Sequence, residues 1–428
     1  MTTYPRLFRL RQTFDNQKVH SIADDVHQQL EQSSLTARLK PGQSVAISVG
    51  SRGIANIDQI VRATVDWLKT KQAQPFIVPA MGSHGGGTAE GQAALLSRYG
   101  ISAETMGCPI RSSMQTIIVA QAAEGFDVHF DQHASQADHV IVCNRIKPHT
   151  RFVGEIESGL MKMLLIGLGK RNGAVVYHQA IQNFSFGQII RSVANEVLHR
   201  CPISLGLAIL ENGYDQTARI EAVEPGEFES REKELLLQAR KMLPSLPFDR
   251  ADLLILDAIG KDISGAGMDT NIIGRKYNDH VAREDEFPKI HQIYVRGLTA
   301  ATAGNATGIG LAEYCHQRLV DAMDVPATRI NCLTGGHVTA AMIPIHFPTD
   351  REVLDAALTQ AGITPPADVR WMWAANTLHI EEVLCSEAYW PDAEKNPQLQ
   401  IIHEPRPIEF DKFDQLVEPF ASAVHETA

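Results

Sequence analysis

Six cysteines are spread through the 428 residues without one CxxC pair, so neither a thiolate zinc site nor a disulfide framework is written into the chain. Cys143, inside an apolar run, reads as a buried thiol. Basic clusters are missing as well. Against 39 Lys and Arg stand 50 Asp and Glu, a formal charge of −11, whereas a general nucleic-acid binder needs a basic face. The longest apolar-looking run, Gly159 to Leu168, is broken by Lys162 and is too short to span a bilayer. Behind the first residues, MTTYPRLFRLRQ, no apolar stretch follows to make a secretory signal. A cytoplasmic, reduced protein with no membrane and no nucleic-acid partner is expected. No GK[ST] follows the glycines at 82–87, no GxSxG elbow marks a nucleophilic serine, and no HxH or HExxH spacing supports a zinc site. Fixed-period repeats and low-complexity segments are absent too.

What is present is core material, 44% hydrophobic and 21% charged, in a chain too long for one ordinary core. Short apolar runs alternate with amphipathic ones. Val45–Val49 and Pro75–Pro79 read as buried strands, each followed by a glycine-bearing loop and a helix, the second capped by Thr88 and stopped by Gly100. Asp138–Cys143 and Ile203–Leu210 continue the series, and Arg219–Val223 could return antiparallel. A charged helix over Glu227–Met242 ends at Pro244 and Pro247. Beyond it, Ala251–Leu256, Ile293–Leu298, Arg329–Leu333 and Val369–Trp373 read as strands, and Gly308–Asp321, Val353–Ala361 and Ile380–Cys385 as helices. The fold class is therefore α/β, as two α/β domains with mainly parallel sheets. They are expected at 1–244 and 245–399, with a tail at 400–428 that packs back on the first domain. Ligands of such sheets sit beyond the carboxyl ends of the strands, which gathers the loops carrying Arg52, His84 and His149 on one rim.

Those loops hold the candidate chemistry. Arg52, between Ser51 and Gly53, suits a bidentate clamp on a carboxylate or phosphate, or is a solvated loop arginine. His84 stands in the glycine run Gly82–Gly87, at a strand's carboxyl end and open to whatever fills the cleft. His149 follows Pro148. Two imidazoles at separated points suit a general acid/base pair, although His149 could equally be a solvated loop histidine. Lys162, between Met161 and Met163, is unusual, because lysine is seldom buried unless paired, neutralised or covalently used; snorkelling along an apolar face is the other explanation. His178 on local pattern alone reads as structural. In the second half, Gly260–Asn271 is a polar, glycine-rich loop after a strand, either functional or simply a long connection.

In their order, Arg52, Gly82-x-His84, His149 before Phe152-Val153-Gly154, Ser158-Gly159-x-x-Lys162 and His178 form a set that resembles the nickel-pincer lactate racemase family. Asp269-Thr270-Asn271 resembles a family loop. The resemblance implies an active site in a cleft between two α/β domains. It implies that Lys162 carries or closely contacts the nickel-pincer nucleotide, that Ser158, Gly159, Asp269 and Asn271 contact it, and that His178 ligates the nickel. Arg52 would hold the substrate carboxylate, and His84 and His149 would be the acid/base residues, each serving one enantiomer of a 2-hydroxy acid. Proteins that build the cofactor are the implied partners. The chain also departs from the family. Val49 stands where an acidic residue precedes the arginine, GGGT follows His84 in place of Arg-Pro, and the interval from His149 to Lys162 is longer and carries Glu155 and Glu157. Ile273 and Gly274 replace polar or aromatic cofactor contacts. A 2-hydroxy acid larger than lactate, such as a sugar acid or hydroxy diacid, is therefore expected, with racemisation or epimerisation as the reaction. The alternative is a binding or accessory protein that keeps the fold and an anion cleft without the redox chemistry.

Overall fold

The computed structural model describes residues 3–51, 53–417 and 420. Its strands, in chain order, are β1 (Leu7–Gln12), β2 (Ser44–Val49), β3 (Gln74–Pro79), β4 (Thr116–Gln121), β5 (Asp127–Asp131), β6 (His139–Arg145), β7 (Ile203–Glu211) and β8 (Thr217–Val223). There follow β9 (Arg250–Leu256), β10 (Lys289–Val295), β11 (Tyr314–His316), β12 (Ile345–Phe347), β13 (Trp371–Ala374), β14 (Glu382–Ser386) and β15 (Leu399–Ile401).

The chain divides into two compact units, Asp15–Leu243 and a second made of Met1–Phe14 with Pro244–Ala428. In the first, a five-stranded sheet runs β3-β2-β6-β7-β8, parallel except for β8, which returns antiparallel on β7. The strands are apolar on both faces. In β6, Val140 and Val142 enter one core and Ile141 and Cys143 the other. Burial pushes the Cys143 thiol up to about 12, so it stays protonated. Helices α1 (Ile22–Gln32), α2 (Ile57–Thr70), α3 (Ala89–Arg98), α4 (Lys170–Ala180), α5 (Phe186–Arg200) and α6 (Phe228–Met242) belong to this unit. Thr88 caps α3 by accepting the Gly91 N–H, as its sequence position predicts. The chain leaves β2 for β3 on one side and later returns to β6 on the other. A topological switch point therefore lies at the carboxyl ends of β2 and β6.

The second unit has an eight-stranded mixed sheet, β12-β11-β10-β9-β13-β14-β1-β15, parallel from β12 to β13 and antiparallel from there to its end. Here the sequence reading needs correction. The chain's first strand is not part of the first unit: β1 pairs with β14, with Leu7 opposite Ser386, and with β15. The described part of the tail joins the same sheet through β15 and the bridge from Leu7 to Arg406, so it groups with the second unit. Arg329–Leu333 is helical, within Val325–Thr334, because Asp324 caps that helix and Pro326 fits its first turn. Ile380–Cys385 contains β14, held by strand pairing on both sides. Gly308–Asp321 breaks into a 3₁₀ turn, β11 and the short helix Gln317–Asp321. No helix among the described residues is long and apolar enough to cross a membrane.

Candidate active site

The residues with chemical potential in the first unit gather beyond the carboxyl ends of β2, β3 and β6, around the segment from Ser158 to His178. Gly159 opens that segment at φ +99°, where a side chain is strained, and a Cβ there would meet Ile146 and the Glu232 carboxyl at 2.8 Å. Ser158 ties the segment to the end of β6. Its Oγ accepts the Lys147 N–H at 2.9 Å and donates to the Lys147 carbonyl at 2.5 Å. The Asn144 amide donates to the Gly159 carbonyl at 2.8 Å. A single α-turn, Leu160–Lys162, then gives way to a π-turn over Met163–Gly167, closed by the Leu168 N–H on the Met163 carbonyl at 2.9 Å. Such π-turns are frequent at functional positions. Lys162 sits at that junction and is half-buried, with its ammonium 5.2 Å from the centroid of the Phe152 ring.

His178 lies on α4, the helix that follows. Burial, then the positive charges of Lys162 and Arg151, hold its imidazole below the ordinary histidine range. It is therefore neutral near pH 7 and keeps a lone pair to give a metal. Among the described residues no three His, Cys, Asp or Glu side chains stand close enough to hold a metal by themselves. A metal at His178 would have to bring most of its ligands with it.

His149 is set by an anchored loop. The buried Glu157 carboxylate accepts the His149 main-chain N–H at 2.8 Å and the Gly154 N–H at 3.3 Å, and Arg240 of α6 binds it at 2.8 Å. The imidazole stacks on Phe152, centroids 4.4 Å apart, and Phe152 stacks on Phe186 at 4.0 Å. Phe152 thus serves as a shared platform for His149 and Lys162.

His84 is exposed on a turn made by Gly85–Gly87 and bonds the Ser51 hydroxyl through Nδ1. The loop is held by Gln92, whose amide donates to the carbonyls of Gly82 at 2.9 Å and His84 at 3.3 Å. It packs on the central segment: a Cβ on Gly82 would meet Ile166 at 2.9 Å, and one on Gly50, beside Ser51, would meet Met163 at 3.1 Å. Arg52 itself lies outside the described residues. Asp269 and Asn271 belong to the other unit. There Asp269 caps the turn Thr270–Ile273, its carboxylate accepting both the backbone N–H and the amide of Asn271 at 2.9 Å.

Sequence reasoning did not give roles to several residues that build this site. Glu232 of α6 is fully buried behind Gly159 and accepts the Met161 N–H at 3.0 Å; burial pushes its carboxyl up to about 8. Lys170 is fully buried in a left-handed backbone (φ +54°), pairs with the buried Asp131 at 2.9 Å and donates to the Pro79 carbonyl at the end of β3. Desolvation lowers its ammonium from the ordinary lysine range. The unexplained glutamates between His149 and Lys162 were the only signal of such anchoring that the sequence offered.

A two-unit α/β protein is thus defined, with lysine, histidine and glycine elements collected at a switch point. Residues 8–186 match the family model of the lactate racemase N-terminal domain. That similarity spans less than half of the chain. The lactate racemase apoprotein from Thermoanaerobacterium thermosaccharolyticum shares the fold at 14% identity, with 83% of this chain and 90% of that one aligned and a TM-score of 0.51. A protein from Thermotoga maritima aligns over 75% of this chain and 80% of its own at 12% identity, with a TM-score of 0.45. None of the curated proteins matches the chain.

Proposed function

We propose that this protein is a racemase or epimerase of a 2-hydroxy acid larger than lactate, dependent on a nickel-pincer nucleotide. The similarity of residues 8–186 to the lactate racemase N-terminal domain supports an isomerase of the racemase or epimerase type. The observation that carries the finer reading is the position of Lys162 at the α-to-π junction, near enough to His178 for its charge, together with burial, to hold that imidazole neutral. Lys162 would attach or contact the nucleotide and His178 would give the nickel its protein ligand, with the Ser158-Gly159 turn lying against the group. When bound, that cofactor supplies a hydride acceptor. The protein's own residues do the rest. Arg52 would hold the substrate carboxylate, and an imidazole, His84 or His149, would take the hydroxyl proton whose departure makes loss of the neighbouring hydride easier. The open loop at His84 supports a substituent larger than a methyl group. Among the described residues nothing comes within 4 Å of a Cβ built on Gly86, in the loop where the family has Arg-Pro. The cofactor's biosynthesis proteins and a small 2-hydroxy acid are the partners this reading requires.

The test is to produce the protein together with those biosynthesis proteins and measure intact mass, peptide masses and nickel. A panel of chiral 2-hydroxy acids, lactate included, is followed by chiral chromatography. The expected result is an adduct on Lys162 with stoichiometric nickel and interconversion of a sugar acid or hydroxy diacid. Lactate as the fastest substrate would remove the size argument. Absence of nickel, adduct and turnover would make the protein a binding or accessory member of the family.

A further inference from the structure

The two histidines are not equivalent as proton carriers. His149 Nδ1 receives two main-chain N–H groups, from Arg151 at 3.0 Å and from Phe152 at 3.1 Å. A backbone N–H only donates, so the ring atom facing it has to be an acceptor. Nδ1 is thereby held as the unprotonated nitrogen, and the neutral ring carries its hydrogen on Nε2. Rotation of the ring is opposed by its stacking on Phe152, itself stacked on Phe186. The loop cannot withdraw its donors freely either, because Glu157 and Arg240 pin it at the His149 N–H and at Gly154. Charged groups near the ring among the described residues include Glu157 with its partner Arg240, Arg151 next in the loop, and Lys162 over Phe152. His84 has a different partner. The Ser51 hydroxyl on its Nδ1 can turn from donor to acceptor, so this ring can gain or lose a proton without losing the bond.

We infer that His149 is a fixed hydrogen-bond donor through Nε2–H, and that of the two histidines it is His84 that exchanges a proton with the substrate hydroxyl. The tautomer stands on the geometry; the division of labour rests on the 2-hydroxy-acid reading. In the forward direction the substrate O–H bond breaks, its electron pair stays on oxygen, and the proton joins His84 to give the imidazolium. Return of the same proton restores the hydroxyl and the neutral ring. His149 keeps its proton throughout and points the substrate oxygen by donating to it.

The inference is tested first by ¹⁵N NMR of the imidazole nitrogens in the full-length protein, with the His149 signals identified by their loss in His149→Asn. Asn keeps an acceptor for the two N–H groups, so the loop is retained. The expected spectrum has a protonated Nε2 and an unprotonated Nδ1, unchanged from about pH 8 to about pH 6, a range in which an ordinary imidazole titrates. A proton on Nδ1 at either pH overturns the inference. This readout is independent of whether any hydroxy acid turns over. Where turnover is found, His149→Gln supplies an N–H donor that cannot titrate. It is expected to lower kcat by no more than about tenfold and keep the pH profile, against a loss of about 100- to 10,000-fold for His84→Gln. Equal losses in the two variants would restore the symmetric acid/base pair.

Discussion

The loops bearing His84 and His149 leave β3 and β6, the two strands that flank β2, and they are held in opposite ways. The His84 loop is built from glycine and backbone bonds, and its foundation is one ion pair between fully buried partners, Lys170 and Asp131, bonded to the root of the loop at Pro79. The His149 loop carries its anchor within itself, in Glu157, and α6 supplies Arg240 to that carboxylate from a partly exposed position. The same helix, α6, places Glu232 under the Lys162 turn. One histidine is left adaptable over a rigid base, while the other is fixed by its own loop. Ring chemistry is thus set by the kind of partner each ring meets, and not by histidine as a residue type.

The widest break in this contrast is expected from Lys170→Met, which strands Asp131 without its counter-ion in the core. A loss of about 3–5 kcal/mol of stability is expected. Urea denaturation measures it, and a loss below about 1 kcal/mol would mean that the pair is not the foundation of the His84 loop. Glu157→Gln comes next. Weakened bonds to a charged acceptor cost about 1.5–3 kcal/mol, expected here as faster amide exchange at residues 149–154 with the His84 loop unchanged. Undisturbed protection at 149–154 would show that Arg240 and Glu157 do not hold the loop.

Glu232 gives a pH signature. Its carboxyl is raised to about 8 in the folded protein from an ordinary 4.5, so the folded state keeps a proton that the unfolded state has released. Stability therefore falls as pH rises through that window, by at most about 1.4 kcal/mol per pH unit, and Glu232→Gln should flatten the slope. Thermal unfolding at several pH values reads this, and parallel curves for the two proteins would count against it. The smallest effect is expected from Ser51→Ala, which removes the reversible partner of His84. About 0.5–1.5 kcal/mol of hydrogen bonding is lost, seen as a shifted pH profile of turnover with folding stability little changed.

Much of the fold could be read from the chain because its strands are short, apolar and followed by capped helices, as at Val45–Val49 and Thr88. The failures share a cause. Ile380–Cys385 has the apolar content of either element, and only β13 and β1 on its two sides make it a strand. At Arg329–Leu333 a local signal, Pro326 after Asp324, was present but outweighed by the apolar run. In the site, the ordered lysine, histidine and glycine elements were legible because their spacing is local. The partners that set protonation were not: Glu232 reaches Met161 across 71 positions and Lys170 reaches Pro79 across 91, and no local pattern records such pairs. The His149 tautomer depends on which way two amide groups point, which composition does not encode.

The position of β1 bears on how the chain is made. Leu7 leaves a ribosome before the whole unit at 15–243, yet its partners, Ser386 on one side and the β15 strand on the other, leave after it. At about 5–20 residues per second, the opening strand waits for tens of seconds or so with both edges unsatisfied. During that wait the unit at 15–243, which holds all its own strands, can fold. Removing residues 1–14 would therefore wound the unit that is synthesised later, and spare the unit they are joined to.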